Sequence, residues 1–274
     1  MSTAKVTADG ERIARRMARA GLCSRREAER WIAAGRVSVN DSVLTTPAVT
    51  VGRHDKVVVD GKPVPDAEPP RLWRYHKPRG LFTTHHDERG RETVFDALPD
   101  DLPRVISAGR LDVNSEGLLL LTNDGDLARH LELPATGLVR RYRVRAHGSV
   151  DERALARLAK GATIDGVRYG PVTVRVDRRK RQDDGKEKKS GSTSANSWFT
   201  VNLREGKNRE VRRVFEHVGL EVNRLIRLSY GPFQLGSLEP RAVEEVPRKV
   251  LRDQLGKDWA ERLRGPARGG KRKR

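Results

Sequence analysis

The stretch SAGRLDVNSEGLLLLTNDGDL, residues 107–127, holds the side chain with the most chemical promise, Asp112, beside Arg110 in a loop that a glycine opens. A carboxylate so placed can act as nucleophile, as base or as partner to a cation. Behind it, Asn114 to Gly117 reads as a turn, Leu118 to Leu121 as a buried strand and Asn123 to Gly125 as a second turn. Such an acid is braced but reachable. By residue type alone, a loop aspartate is more commonly a turn residue or a helix cap, and Tyr142 in RRYRV reads as a core tyrosine on a strand. The adjacent His85 and His86 would point to opposite faces of a strand, so with Asp87 they read as polar surface, not as a metal site. Patterns of the form GxxxxGK[ST], GxGxxG after a strand and HExxH are absent, which excludes the common ATPase, dinucleotide and zinc-protease chemistries. The single cysteine, Cys23, excludes an internal disulfide and a cysteine-based zinc site. No metal or other cofactor is expected.

The elements that must position these residues divide into two units. From Glu11 to Val64 the pattern predicts a small basic module: a helix with Ile13, Met17 and Ala20 on one face, and a second opened by the capping-box pair Ser24 and Glu27 and closed at Gly35. Short strands follow at Val37 to Asn40 and Val57 to Val59, with turns at Asn40-Asp41 and Asp60-Gly61. Residues 65–71 read as a linker. A larger domain is expected over 72–255, with strands near 72–75, 118–121, 141–146, 172–176 and 198–203 and helices near 126–133, 151–160 and 209–218. The predicted class is α+β, with a mixed, mainly antiparallel sheet and flanking helices. Residues 178–197, dense in Lys, Asp, Gly and Ser, read as a disordered insertion, and 256–274 as a basic tail.

The 274 residues carry 56 Lys and Arg against 37 Asp and Glu, a formal charge of +19, which points to a polyanionic partner. The polar N-terminus and the lack of a long apolar run argue against a secretory signal or a membrane span, so a cytoplasmic location and no membrane partner are expected. Arg12, Arg15, Arg16, Arg25, Arg26 and Arg36 make the first module a candidate phosphate binder, although a charged helix face is often only a solvated one. Its order of helix, helix, GRVSVN and VVVDGKPV resembles the S4 domain, an RNA-binding module.

The second unit resembles the RsuA/RluB family of pseudouridine synthases. The likeness rests on GRLDVNSEGLLLLTNDG, then YHKPRGLFTT with GRETVFDALP, RRYRV, and EGKNREVRRVFEHVGLEVNRLIRLSYGPFQLG. The resemblance implies conversion of uridine to pseudouridine in ribosomal RNA, 23S in preference to 16S, free or in an assembly intermediate, by a monomer without cofactor. It makes Asp112 the catalytic group, Tyr142 the active-site tyrosine and Arg212 a basic residue able to pair with the aspartate. It also puts Leu225 in the uracil pocket and Arg110 on RNA, and gives Lys77 a structural role. On the helix near 209–218, Arg209, Arg212 and Arg213 cannot all share the stripe of Val211, Val214, Phe215 and Val218, so Arg209 is a further RNA candidate. Arg140 stands where many members of the family carry Lys. The rival reading is a noncatalytic RNA-binding assembly factor; the intact Asp112, Tyr142 and Arg212 weigh against it.

Overall fold

The computed structural model describes residues 10–177 and 195–263. The first module packs helices Ile13–Arg19 and Arg25–Ala33 against a four-stranded sheet ordered Ser42–Val43, Val37–Val39, Val57–Val59, Lys62–Pro63. Its core is Ile13, Met17, Ala28, Ile32, Val37, Val51 and Val57, the helix-period and strand-period apolar positions meeting face to face. The Ser24 hydroxyl accepts the Glu27 N–H at 3.0 Å and so starts the second helix.

The second unit is built on a nine-stranded sheet, the main path running Val172–Val176, Ala195–Leu203, Arg140–Gly148, Glu221–Tyr230, Glu116–Thr122, Leu72–Lys77, Val243–Glu245. Along that path every pair is antiparallel except Glu221–Tyr230 with Glu116–Thr122, which is parallel. Leu118, Leu119, Leu120 and Leu121 are all fully buried because the central strand is covered on both faces. On the front, Leu119, Leu121, Tyr142, Val144, Phe199 and Leu225 meet helix Glu210–His217 through Val211, Val214 and Phe215. Phe199 and Phe215 make an edge-to-face pair at 5.2 Å. On the reverse, Leu72, Leu118 and Leu120 lie under helices Gly125–Glu132, Arg248–Leu255 and Lys257–Arg262.

Two expected boundaries move. The helix Lys257–Arg262 is part of the packed unit, because Trp259 and Leu263 are buried against the reverse face; the tail therefore cannot begin at 256. The pairing of Arg145 with Trp198 continues through Ala146 with Ser197 to Gly148 with Ala195, so 195–197 belong to a strand and not to the insertion. Residues 178–194 and 264–274 lie outside the described residues. The two units touch through Asp126, which accepts from Arg15 of the first module and from Arg262 of the last helix.

The parallel junction at the centre of the sheet depends on Gly117. It sits at φ +104°, and a Cβ there would fall 2.4 Å from the Arg227 carbonyl oxygen and 2.7 Å from its nitrogen. Both neighbours are backbone, so neither can swing away. Gly117→Ala is expected to lower stability by about 2–3 kcal/mol, read as a lower urea midpoint with the m-value retained; an unchanged midpoint would show that the junction tolerates a side chain.

Candidate active site

Asp112 lies in the loop between strands Ile106–Ala108 and Glu116–Thr122, and each carbonyl from Leu111 to Ser115 is held from outside that loop. Thr83 donates its hydroxyl to the Leu111 carbonyl at 2.8 Å, and the Gly80 N–H reaches the Val113 carbonyl at 2.8 Å. Arg212 donates to the Asn114 carbonyl at 3.2 Å and to the Val222 carbonyl at 2.7 Å. Lys77, fully buried, donates to the carbonyls of Ser115 at 2.9 Å, Pro78 at 3.0 Å and Asp112 at 3.2 Å. Burial pushes the Lys77 pKa down to about 8, with Asp112 and Glu116 pulling it back up. Those three carbonyl acceptors around one amine match the three N–H donors of its ammonium form.

The loop thus presents the Asp112 side chain, about one-third exposed, to an open cleft of about 1110 Å³. Tyr142 and Leu225 form part of its wall on the front face of the sheet, and Arg110 stands exposed at its edge. Arg227, two residues beyond Leu225 and hence on the same face, also lines it; its Nε donates to the Leu118 carbonyl at 2.7 Å. Glu210 lines the far wall, with burial pushing its carboxyl pKa up and its Oε2 accepting the Lys207 N–H at 2.9 Å. Arg227 and Glu210 escaped the sequence reading. The alternation along Glu221–Tyr230 was the signal that could have found the first.

The expected pairing of Arg212 with Asp112 is not what the structure holds. Both donor contacts of Arg212 go to carbonyls, and the cation at the carboxylate is Arg209, with Nη1 3.8 Å from Oδ2. The reason is helical geometry: Arg212 lies one turn inside Glu210–His217 on its buried side, while Arg209 is the residue before the first turn, in the left-handed region at φ +52°, and leans over the cleft mouth. Burial, and then Arg209, lower the Arg212 pKa, while Asp112 raises it. Arg212 is a clamp on the loop that also adds positive field, and Arg213 points elsewhere, toward the Tyr169 hydroxyl.

Most of the first module's nominated arginines have partners that the sequence conceals. Arg12 donates to the Ala48 carbonyl, Arg15 to Asp126, Arg16 to Asp66, and Arg36 to both oxygens of Asp60. Arg25 and Arg26 are exposed at the start of their helix with no carboxylate partner among the described residues. The exposed pairs are weak enough for phosphate to compete.

A sequence model of the RNA pseudouridylate synthase family matches residues 71–217, and one of the S4 domain matches residues 11–57. The chain belongs to the RNA pseudouridylate synthase family. Among similar proteins, an uncharacterized RNA pseudouridine synthase of Rickettsia prowazekii (strain Madrid E) is 46% identical over 244 residues, spanning 89% of this chain and 97% of its own. Ribosomal large subunit pseudouridine synthase B of Salmonella typhi is 42% identical over 237 residues, 84% of this chain and 77% of its own. A crystal structure of a pseudouridylate synthase superposes with a TM-score of 0.61 at 22% identity, covering 89% of this chain and 99% of the other, which shows the shared fold. As a pseudouridine synthase this chain is an isomerase with an N-terminal S4 domain. No group of three or more His, Cys, Asp or Glu among the described residues could hold a metal ion, and no described helix is long and apolar enough to cross a membrane.

For this pseudouridine synthase the clamp and the surface cation separate experimentally. Lys77→Met keeps the length of the side chain but takes the ammonium donor from the carbonyls of Ser115, Pro78 and Asp112, and is expected to cost about 2–4 kcal/mol of stability with most of the activity. Arg209→Gln is expected to leave the thermal midpoint within about 1 °C, since the pair is exposed, while slowing turnover. Thermal melts beside single-turnover rates check both; a destabilised Arg209→Gln or a stable, active Lys77→Met would reverse the assignment.

Proposed function

We propose that the protein converts a uridine of ribosomal RNA, in the 23S molecule, to pseudouridine, with Asp112 as the group that starts the reaction. The observation that carries this reading is the Asp112 carboxylate itself: open to the cleft, gripped through its own loop backbone, and 3.8 Å from Arg209. The large-subunit assignment is supported by the relatives named ribosomal large subunit pseudouridine synthase B, which are 41–43% identical.

The reaction breaks the N1 to C1′ bond, turns the uracil and forms C5 to C1′; the proton lost from C5 balances the one gained at N1. It needs no redox partner and no outside energy. Asp112 begins it by attack on C1′, by attack on the uracil ring or by taking the C2′ proton, each of which requires the ionised carboxylate. The guanidinium of Arg209 stands 3.8 Å from that carboxylate, and Arg212 holds the loop that carries it. A stacked uridine cannot reach a carboxylate held this way, so the target nucleotide is flipped into the cleft. Tyr142 stacks on the freed ring and its hydroxyl takes part in moving the C5 proton, while Leu225 supplies an apolar wall. Arg110 at the cleft edge, and Arg25 and Arg26 on the S4 domain, hold flanking phosphates. The protein acts as a monomer in the cytoplasm, where ribosomal RNA is assembled.

Asp112→Asn keeps size and removes charge, so product formation should fall below detection while RNA affinity stays within about threefold. Pseudouridine mapping of ribosomal RNA from deletion cells rescued with wild type or Asp112→Asn checks this: one site should vanish and return only with wild type. Full modification in every strain would leave a noncatalytic assembly factor as the better reading.

A further inference from the structure

Among the described residues, the reverse face of the sheet is covered at one end only. Its helices lie over the strands that carry Leu72, Leu118 and Leu120, whereas the strands Arg140–Gly148, Ala195–Leu203 and Val172–Val176 leave that face open. Along Arg140–Gly148 the outward side chains are Arg141, Arg143 and Arg145, all exposed, on the side opposite buried Tyr142, Val144 and Ala146. Across one ladder they face Asn202, Thr200 and Trp198, with exposed Arg175 beyond Thr200; across the other, Arg145 is opposite Arg224.

An antiparallel sheet with one solvated face is ordinary, and mixed polar residues suffice to solvate it. On this face Asn202 and Thr200 stand among the arginines, but the strand Arg140–Gly148 sends Arg141, Arg143 and Arg145 out in succession. Arg145 and Arg224 are like charges directly opposed, a destabilising pair, and among the described residues a carboxylate answers only Arg224, Glu116 at 2.7 Å and 3.2 Å. Among the described residues Arg143, Arg145 and Arg175 have no carboxylate partner, and the nearby acid Asp177 accepts from the Thr200 hydroxyl at 2.8 Å. Arg143 lies 4.6 Å over the ring of the partly exposed Trp198. Alternate residues of a strand repeat at about 6.8 Å, so Arg143 and Arg145 are one such repeat apart along their strand, with Arg175 two strands away across Thr200 and the ring of Trp198 beside them.

We propose that this face is a second RNA-binding surface, taking phosphates of an unpaired RNA segment along Arg143, Arg145 and Arg175 and a base on Trp198. It rests on the reading of the chain as an RNA enzyme but not on the chemistry of Asp112, which opens on the other face of the same sheet. A basic patch with a stacking ring is what a sequence-tolerant single-strand site combines. RNA held here and RNA at Asp112 are separated by the thickness of the sheet, so the surface holds a part of the RNA remote from the target uridine.

The test uses the full chain and a fluorescein-labelled, uridine-free single-stranded oligoribonucleotide, with affinity read by anisotropy over a salt series. Arg143→Gln combined with Arg145→Gln should weaken binding about tenfold and flatten the slope of log K against log salt by about 1.4, two contacts at about 0.7 each. Trp198→Leu should weaken binding with the slope kept, and Asp112→Asn should bind as wild type. Wild-type affinity in the double variant or in Trp198→Leu overturns the proposal, and in the first case leaves the face to an acidic protein partner. Because binding is read without turnover and without uridine, a failed isomerase assay does not decide this test.

Discussion

A single buried ammonium organises the centre of this protein. Lys77 ends the strand Leu72–Lys77 with no exposed surface, and its charge is met by carbonyl oxygens of Pro78, Asp112 and Ser115 rather than by a carboxylate. Burying an ion is costly unless its donors are filled, so the loop that supplies those oxygens is drawn to one conformation. The Asp112 side chain leaves from the middle of it. The same contact therefore stabilises the sheet end and orients the carboxylate. Thr83 and Gly80 also hold the loop, and Arg212 holds it from helix Glu210–His217.

That arrangement sorts the arginines into two kinds. Arg140, Arg212 and Arg227 are nearly inaccessible and end on carbonyls, where five donors in a planar fork can satisfy several acceptors at once. Arg140 also reaches the Tyr230 hydroxyl, which donates onward to the Leu131 carbonyl, tying the strand before Tyr142 to the reverse-face helix. Arg110 and Arg209 face the cleft, and Arg141, Arg143 and Arg145 face outward from the sheet. The formal charge of +19 is thus not all surface field. Part of it is internal scaffolding that a net-charge argument cannot separate from an RNA footprint.

Much of the architecture was legible in the chain because it follows from short-range rules. Leu118 to Leu121 could only be an interior strand, and Ser24 with Glu27 could only begin a helix cheaply, and both do so. The S4 domain and the synthase domain were readable from their motifs and are matched by the two family models. The boundary at 256 was misread because the isolated Trp259 and Leu263 look like a polar tail until the reverse face of a sheet is laid against them. Ala195–Ser197 looked like the end of an insertion because only its ladder with Arg140–Gly148 makes it strand.

By itself the sequence determined the residue types the chemistry needs, the two-unit organisation and the family, since motif spacing and apolar periodicity are local properties of the chain. Tertiary structure alone decided which arginine stands at Asp112. Arg209 and Arg212 are both basic, both adjacent to the same helix and three residues apart, and nothing in their spelling ranks them; the direction in which Glu210–His217 buries its apolar stripe turns one to the loop carbonyls and the other to the carboxylate. The partners of Arg15, Arg16 and Arg36 were hidden for the same physical reason: an ion pair depends on distance in space, and theirs close over 24 to 111 residues of chain.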